Sequence, residues 1–235
     1  ELRTVAEARW EAVSRDRRAS AAATGAPRTK SSYLVDLWGG EHILEPEHPF
    51  IRFSVSQPLL NVVNAYLGMF SKFREFFLQV TIPFAPGDTA IGSQRWHADP
   101  DDRKLVKVFL YLNDVNEAAG PFTYIKQSHG AGKWRRLFPF APKSKTRHPD
   151  PAMIASTIPP DDIVAATGKA GTLIFCDTSG VHRGGYATAK HRIMYTSVHT
   201  TPASFLPTRF IYPPALEPRS FASPAARYAI SSSRL

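Results

Sequence analysis

Gln94-Arg95-Trp96-His97-Ala98-Asp99 is the stretch on which the reading of this sequence turns. In an extended strand, side chains two residues apart leave on the same side, so His97 and Asp99 can converge on a single ion. A third ligand is available far downstream, in Asp177-Thr-Ser-Gly-Val-His182-Arg-Gly-Gly, and Arg192 stands ten residues beyond it. Two imidazoles with one carboxylate form the facial set that holds non-haem Fe(II) with coordination positions left open. His97, Asp99 and His182 are therefore the candidate metal-binding and catalytic residues, with iron favoured over zinc.

Outward from this stretch the pattern is one of strands. Leu105-Val-Lys-Val-Phe-Leu-Tyr-Leu112 follows the ligand pair, and Gly120-Pro-Phe-Thr-Tyr-Ile125 comes after a short loop. Thr172-Leu-Ile-Phe-Cys176 leads to Asp177 and His182. The run His191 to His199 is the last clear strand, with Arg192, Met194 and Thr196 on one side. Upstream, Phe70 to Phe84 is a dense aromatic and β-branched run that reads as a buried strand carrying one amide, Gln79. Many strands, short turns and few helices indicate an antiparallel sandwich or barrel. One end would hold the site, and side chains such as Phe109 and Leu112 would fill the other.

The remaining segments are scaffolding. Residues 1–23 carry a thin apolar stripe (Val5, Ala8, Ala12, Val13) and predict a surface helix, followed by a Gly, Pro and Ser linker over 24–32. Residues 33–55 read as short strands or docking segments broken by Pro46 and Pro49. Pro58 to Met69 predicts a helix with Leu59, Val62, Val63 and Tyr66 inward. Residues 130–170 interrupt the strand rhythm with basic, aromatic and proline residues, as a lid over the barrel mouth would. Beyond Thr200 the Pro- and Ser-rich tail has no periodicity and is expected to wrap the surface irregularly. One domain over 1–235 accommodates all of this.

The ordered series His97-x-Asp99, the 104–115 strand ending Leu-Asn-Asp-Val, Gly120-Pro-Phe-Thr-Tyr-Ile, Ser128-His129, His182-Arg-Gly-Gly and Arg192 resembles the phytanoyl-CoA dioxygenase-like family of Fe(II)/2-oxoglutarate oxygenases over residues 76–200. That resemblance implies a double-stranded β-helix (jelly-roll, cupin-like) core with helices outside, mainly β with flanking helices. It also implies Fe(II) on His97, Asp99 and His182, with 2-oxoglutarate as cosubstrate, O2 as oxidant, and succinate and CO2 as products. By the same resemblance Arg192 binds the far carboxylate of 2-oxoglutarate and Gln79 is a further contact. Gly184 stands where many relatives have a hydroxyl residue, so that contact is expected from Thr178, Ser179 or Thr196. Related halogenases replace the carboxylate at the Asp99 position with a small residue, so hydroxylation of a small or medium metabolite is the expected reaction. Lys126-Gln127 precedes His129 where relatives carry Pro-Gly, and His129 reads as structural.

Bulk composition bounds the alternatives. Apolar residues are 43% and charged residues 21%, an ordinary globular balance. The net charge of +9 gives a field that favours anionic small molecules. Nucleic acid ranks behind them, because the basic cluster over 133–147 follows no recognisable binding motif. A jelly-roll ligand-binding protein with a vestigial metal site is the other alternative. The single cysteine, Cys176, excludes an internal disulfide and suits the cytoplasm. No stretch is apolar enough to span a bilayer, and the first residues lack a signal-peptide pattern. A start at Glu1 rather than methionine suggests an upstream piece.

Overall fold

Strand β2 (Lys72–Thr81) shows how the sequence builds a sheet with two different sides. Its aromatic and β-branched residues favour the pleated conformation, and their alternation gives it two different faces. The computed structural model describes residues 1–20, 33–40, 42–84, 88–140, 148–213, 221 and 223–231. Among these, β2 pairs antiparallel with β1 (Leu34–Asp36) and with β8 (Arg192–Thr200). β8 pairs with β3 (Leu105–Tyr111), and β3 with β6 (Leu173–Cys176), giving a five-stranded sheet in the order β1-β2-β8-β3-β6. A three-stranded sheet holds β5 (Ile163–Ala166), β4 (Phe122–Ile125) and β7 (His182–Gly184) in the order β5-β4-β7. Mainly antiparallel sheets with helices outside are the jelly-roll architecture expected from the sequence.

Register decides which residues share a face. Opposite each other across β2, β8 and β3 lie Gln79 and Met194, Thr81 and Arg192, Phe109 and Thr196, and Tyr111 and Met194. Directly opposed residues project to the same side of a sheet, so these form one inner surface that also carries Lys107. Phe76, Leu78, Val80, Val106, Val108, Leu110, Ile193 and Tyr195 project the other way, into the main hydrophobic core. The helices cover that outer face: α1 (Leu2–Ser20), α2 (Pro49–Ser54), α3 (Gln57–Leu67) and α5 (Pro224–Ile230). Helix α4 (Pro151–Thr157) lies instead beside the small sheet, where Ile154 joins Trp96, Ile125 and Val181.

Several expectations are corrected here. Residues 49–54 are a helix, not a strand or docking segment: Pro49 sits in its first turn and the His48 side chain accepts from Phe50 N. Helix α3 turns Leu59, Leu60, Val63 and Leu67 inward and leaves Val62 and Tyr66 exposed. In α1 it is Ala6 that is fully buried, with Val5, Trp10 and Val13 against the core, while Ala8 and Ala12 are exposed. The tail is not irregular throughout, because α5 docks with Ala225, Ala226, Ala229 and Ile230 buried. Phe109 lines the site side of the sheet against Phe122, whereas Leu112 joins the helix-covered core. The 24–32 linker lies outside the described residues. Within 130–170, β5 is a strand of the small sheet, and residues 141–147 of the basic stretch lie outside the described residues.

Candidate metal centre

Backbone pairing brings the two distant histidine motifs together. His97 N donates to His182 O at 2.9 Å and His182 N to His97 O at 2.8 Å, an antiparallel bridge that lays the His97 segment along β7. Asp99 N donates to Thr178 O at 2.8 Å, which extends the same alignment. Opposed bridge partners share a face, so both imidazoles and the Asp99 carboxylate project to one point.

The ligand atoms of His97, Asp99 and His182 all lie within 4.8 Å of one another, close enough to hold a metal ion. Nδ1 of His97 lies 2.8 Å from Arg95 O, and Nδ1 of His182 lies 2.9 Å from Gly180 O. A carbonyl only accepts, so each Nδ1 carries the proton and each Nε2 presents its lone pair to the centre. Burial holds His182 in its neutral form by lowering its pKa to about 3, with the neighbouring His97 acting in the same direction. His97 is shifted down by burial too. Burial would raise Asp99, but Lys107, His182 and His97 outweigh it and hold the carboxyl well below the usual range. Two neutral imidazoles and an ionised carboxylate are the protonation states a metal requires.

Lys107 was not singled out in the sequence. Its Nζ lies 2.7 Å from Asp99 Oδ2, and both side chains are largely covered. Nothing in a Lys at the third position of a strand distinguishes such a role, which follows from register alone.

Arg192 is buried to 3% exposure on the inner surface. It donates through Nη1 to Gly120 O and through Nη2 to Thr81 Oγ1 at 3.1 Å, while Nε has no partner. No carboxylate among the described residues pairs with it, and burial lowers its pKa. A guanidinium surrounded by neutral acceptors has capacity for an anion. Its cavity, of about 380 Å³, is walled by residues that include Gln79, Ser93, Lys107, Thr196 and the three candidate ligands. Gln79 lines this cavity. Thr178 is not on this wall: its side chain is fully buried and its carbonyl anchors Asp99. Thr81, which the sequence did not flag, takes the position against Arg192. Gly184 leaves space there, since a Cβ built on it would stand 3.7 Å from Arg192 Nη2.

A second cavity, of about 330 Å³, touches the centre at Asp99 and is otherwise lined by Ala98, Leu137, Phe138, Pro139, Phe140, Pro149, Met153 and Val181, with His148 at its edge. The other five histidines stand apart from both cavities, with His42 and His48 against Trp38. His191 lies against Trp10, His199 is buried beside Phe73, and His129 accepts from Ala131 N. Ser128 is structural, with its Oγ donating to Ile125 O and accepting from Val181 N.

The family model for phytanoyl-CoA dioxygenase matches residues 7–194. A search of curated proteins gives no significant match. Among solved structures, the fold resembles the epimerase SnoN in complex with Fe3+, alpha ketoglutarate and nogalamycin RO, at 16% identity and a TM-score of 0.54, over 83% of this chain and 75% of that one. It also resembles AviO1 from Streptomyces viridochromogenes Tue57, at 16% identity and a TM-score of 0.52, over 86% and 85%. EctD from S. alaskensis in its apoform matches at 20% identity and a TM-score of 0.52, over 91% and 75%. At these identities the structures speak for the fold, and the family model speaks for descent. With a match over most of its length and a His, Asp, His cluster able to hold a metal, this chain belongs to the phytanoyl-CoA dioxygenase family of iron- and 2-oxoglutarate-dependent oxygenases.

Proposed function

We propose that this protein hydroxylates a small molecule, with His97, Asp99 and His182 as the ligands of Fe(II). When bound, iron and 2-oxoglutarate supply oxygen activation coupled to oxidative decarboxylation, with succinate and CO2 released. The chain's own part is position and exclusion. The Arg95 and Gly180 carbonyls hold both imidazoles with Nε2 inward. Arg192 offers its planar fork to the far carboxylate of 2-oxoglutarate, with Gln79, Thr81 and Thr196 beside it; Thr178, away from that wall, acts by holding the Asp99 backbone. The carboxylate of Asp99 is the reason for preferring hydroxylation to halogenation.

One observation carries this reading: a polar cavity with a buried guanidinium lacking a carboxylate partner among the described residues, and an apolar cavity, meet at the same three-ligand cluster. Cosubstrate and substrate then have separate chambers. The surplus of nine basic residues favours an anionic substrate, yet among the described residues no lysine or arginine lines the apolar cavity, so the part of the substrate that enters it is proposed to be neutral. Residues 137–140 with Pro149 and Met153 line this cavity and are proposed to form the described part of a lid within a single domain. Cys176, free and buried, and Fe(II) chemistry both suit the cytoplasm as the compartment. No helix among the described residues is long and apolar enough to cross a membrane.

The test is anaerobic addition of Fe(II) and then 2-oxoglutarate to metal-free protein. A visible charge-transfer band that is absent in Asp99→Ala is expected, followed by succinate release matched to an oxygenated product in a substrate screen. A band with an epimerised product would retain the cofactors and replace hydroxylation. No band, with iron absent by metal analysis, would leave the ligand-binding alternative.

A further inference from the structure

His148 stands where the two chambers meet. It lines both the apolar and the polar cavity, as Asp99 does, and its ring centroid is 6.3 Å from that of His97. It does not belong to the metal-binding cluster. Its Nδ1 lies 2.9 Å from Trp96 O, one residue before the ligand His97. Because that carbonyl only accepts, Nδ1 carries the proton, and in the neutral ring Nε2 is left as an acceptor.

The mounting of this ring is firm. Pro149 follows it and narrows the backbone, Asp150 caps α4 by accepting from Ala152 N at 2.9 Å, and Ile154 anchors that helix at 2% exposure. Pro149 and Met153 from the same segment line the apolar cavity, as do Phe138, Phe140 and Val181. Among the described residues, and apart from Asp99, a candidate metal ligand, His148 is the side chain on that wall with a nitrogen or oxygen able to hydrogen-bond. A cavity so lined recognises apolar surface, and one acceptor at its edge is what can orient a molecule within it.

We infer that His148 is the specificity residue of the substrate chamber: its Nε2 accepts a hydrogen bond from a hydroxyl or N–H group of a compact, otherwise apolar and neutral substrate, and so selects which carbon faces the metal centre. This rests on the proposed oxygenase reading for the meaning of the chamber. A volume of about 330 Å³ is at the small end for ligand pockets, so the occupied part is one compact alicyclic or aromatic unit. The ring acts by positioning, since the metal and the far end of the cosubstrate have their own partners.

Borneol and camphor are suitable probes, being alike in shape while only borneol has a donor. Binding of each is measured calorimetrically at pH 8 to protein loaded with Zn(II) and 2-oxoglutarate, so that nothing turns over. Borneol is expected to bind about tenfold tighter than camphor. His148→Phe should remove that preference with camphor affinity within about twofold, and His148→Gln, which keeps an acceptor, should restore part of it. Equal binding of the two probes, binding of neither, or a preference that survives in His148→Phe would overturn the inference. The iron and 2-oxoglutarate band, recorded on the same preparations, separates the two readings. A band without the borneol preference sinks the role of His148 alone, whereas the preference without a band sinks the oxygenase reading and leaves the handle standing.

Discussion

At the scale of single residues, charge placement explains most of what the centre is equipped to do. Arg192 is a costly side chain, a buried cation with neutral acceptors around it. Such a group lowers stability unless an anion joins it, so Arg192→Met should leave the metal-free fold intact or raise its Tm, while weakening 2-oxoglutarate binding about a hundredfold or more. Chemical denaturation and calorimetric titration check the two halves separately. An unchanged 2-oxoglutarate affinity would remove Arg192 from the site. Lys107 makes a different prediction. Its ammonium competes with any metal for the field of Asp99 from 2.7 Å away, so Lys107→Met should bind Mn(II) severalfold tighter, read by electron paramagnetic resonance titration. Weaker binding would mean that the lysine supports the carboxylate rather than competing for it.

Among elements, strand β8 ties the two halves of the molecule together. Its inner residues Arg192, Met194 and Thr196 face the polar cavity, and its outer residues Ile193 and Tyr195 enter the helix-covered core. Tyr195 is fully buried, its hydroxyl 2.6 Å from Ser54 Oγ and donating to Phe50 O at 3.1 Å, which fastens α2 to the sheet. Tyr195→Phe removes both contacts while Ser54 Oγ still donates to Phe50 O at 2.9 Å, and should cost about 0.5–1.5 kcal/mol in urea unfolding, with metal affinity unchanged. The turn after β4 is informative as well. Gln127 adopts φ 57°, so the chain accepts a strained left-handed residue just before Ser128, whose Oγ accepts from Val181 N.

For the whole molecule, acid sensitivity follows from buried imidazoles. His199, enclosed beside Phe73 and Ser197, has its pKa lowered to about 3 by burial. A histidine held neutral in the fold binds its proton only when the chain unfolds, so its contribution is complete above the unfolded value near 6.5 and is lost as pH falls toward 3. Stability should therefore drop between pH 6.5 and 4 with a slope of up to about 1.4 kcal/mol per pH unit from this group. His199→Leu should flatten that slope in denaturation curves collected across the range. Metal binding acts on the same equilibrium, because the candidate ligands join the His97 segment to β7. Saturating Mn(II) at a hundred times its dissociation constant should add about 2.7 kcal/mol over protein held in chelator, and Asp99→Ala should abolish the gain.

The division between sequence and tertiary structure follows from the range of the forces involved. Alternation along Leu105 to Leu112 and Arg192 to His199, together with the spacing of His97 and Asp99, is local geometry, so the strands, the sheet class and the candidate ligand set were legible in the chain itself. The same two-residue period puts Arg192, Met194 and Thr196 on one side of β8, whereas Gln79 was a candidate through the family resemblance alone. Helix faces were read one position off in α3, and α5 was missed, because short amphipathic segments take their orientation from what covers them rather than from their own pattern. Lys107 beside Asp99, Thr81 beside Arg192 and His148 at the junction of the chambers depend on which strands become neighbours and in what register. Those pairings join residues as far apart as 111 positions, and a contact made only when the sheets close has no periodic trace in the sequence.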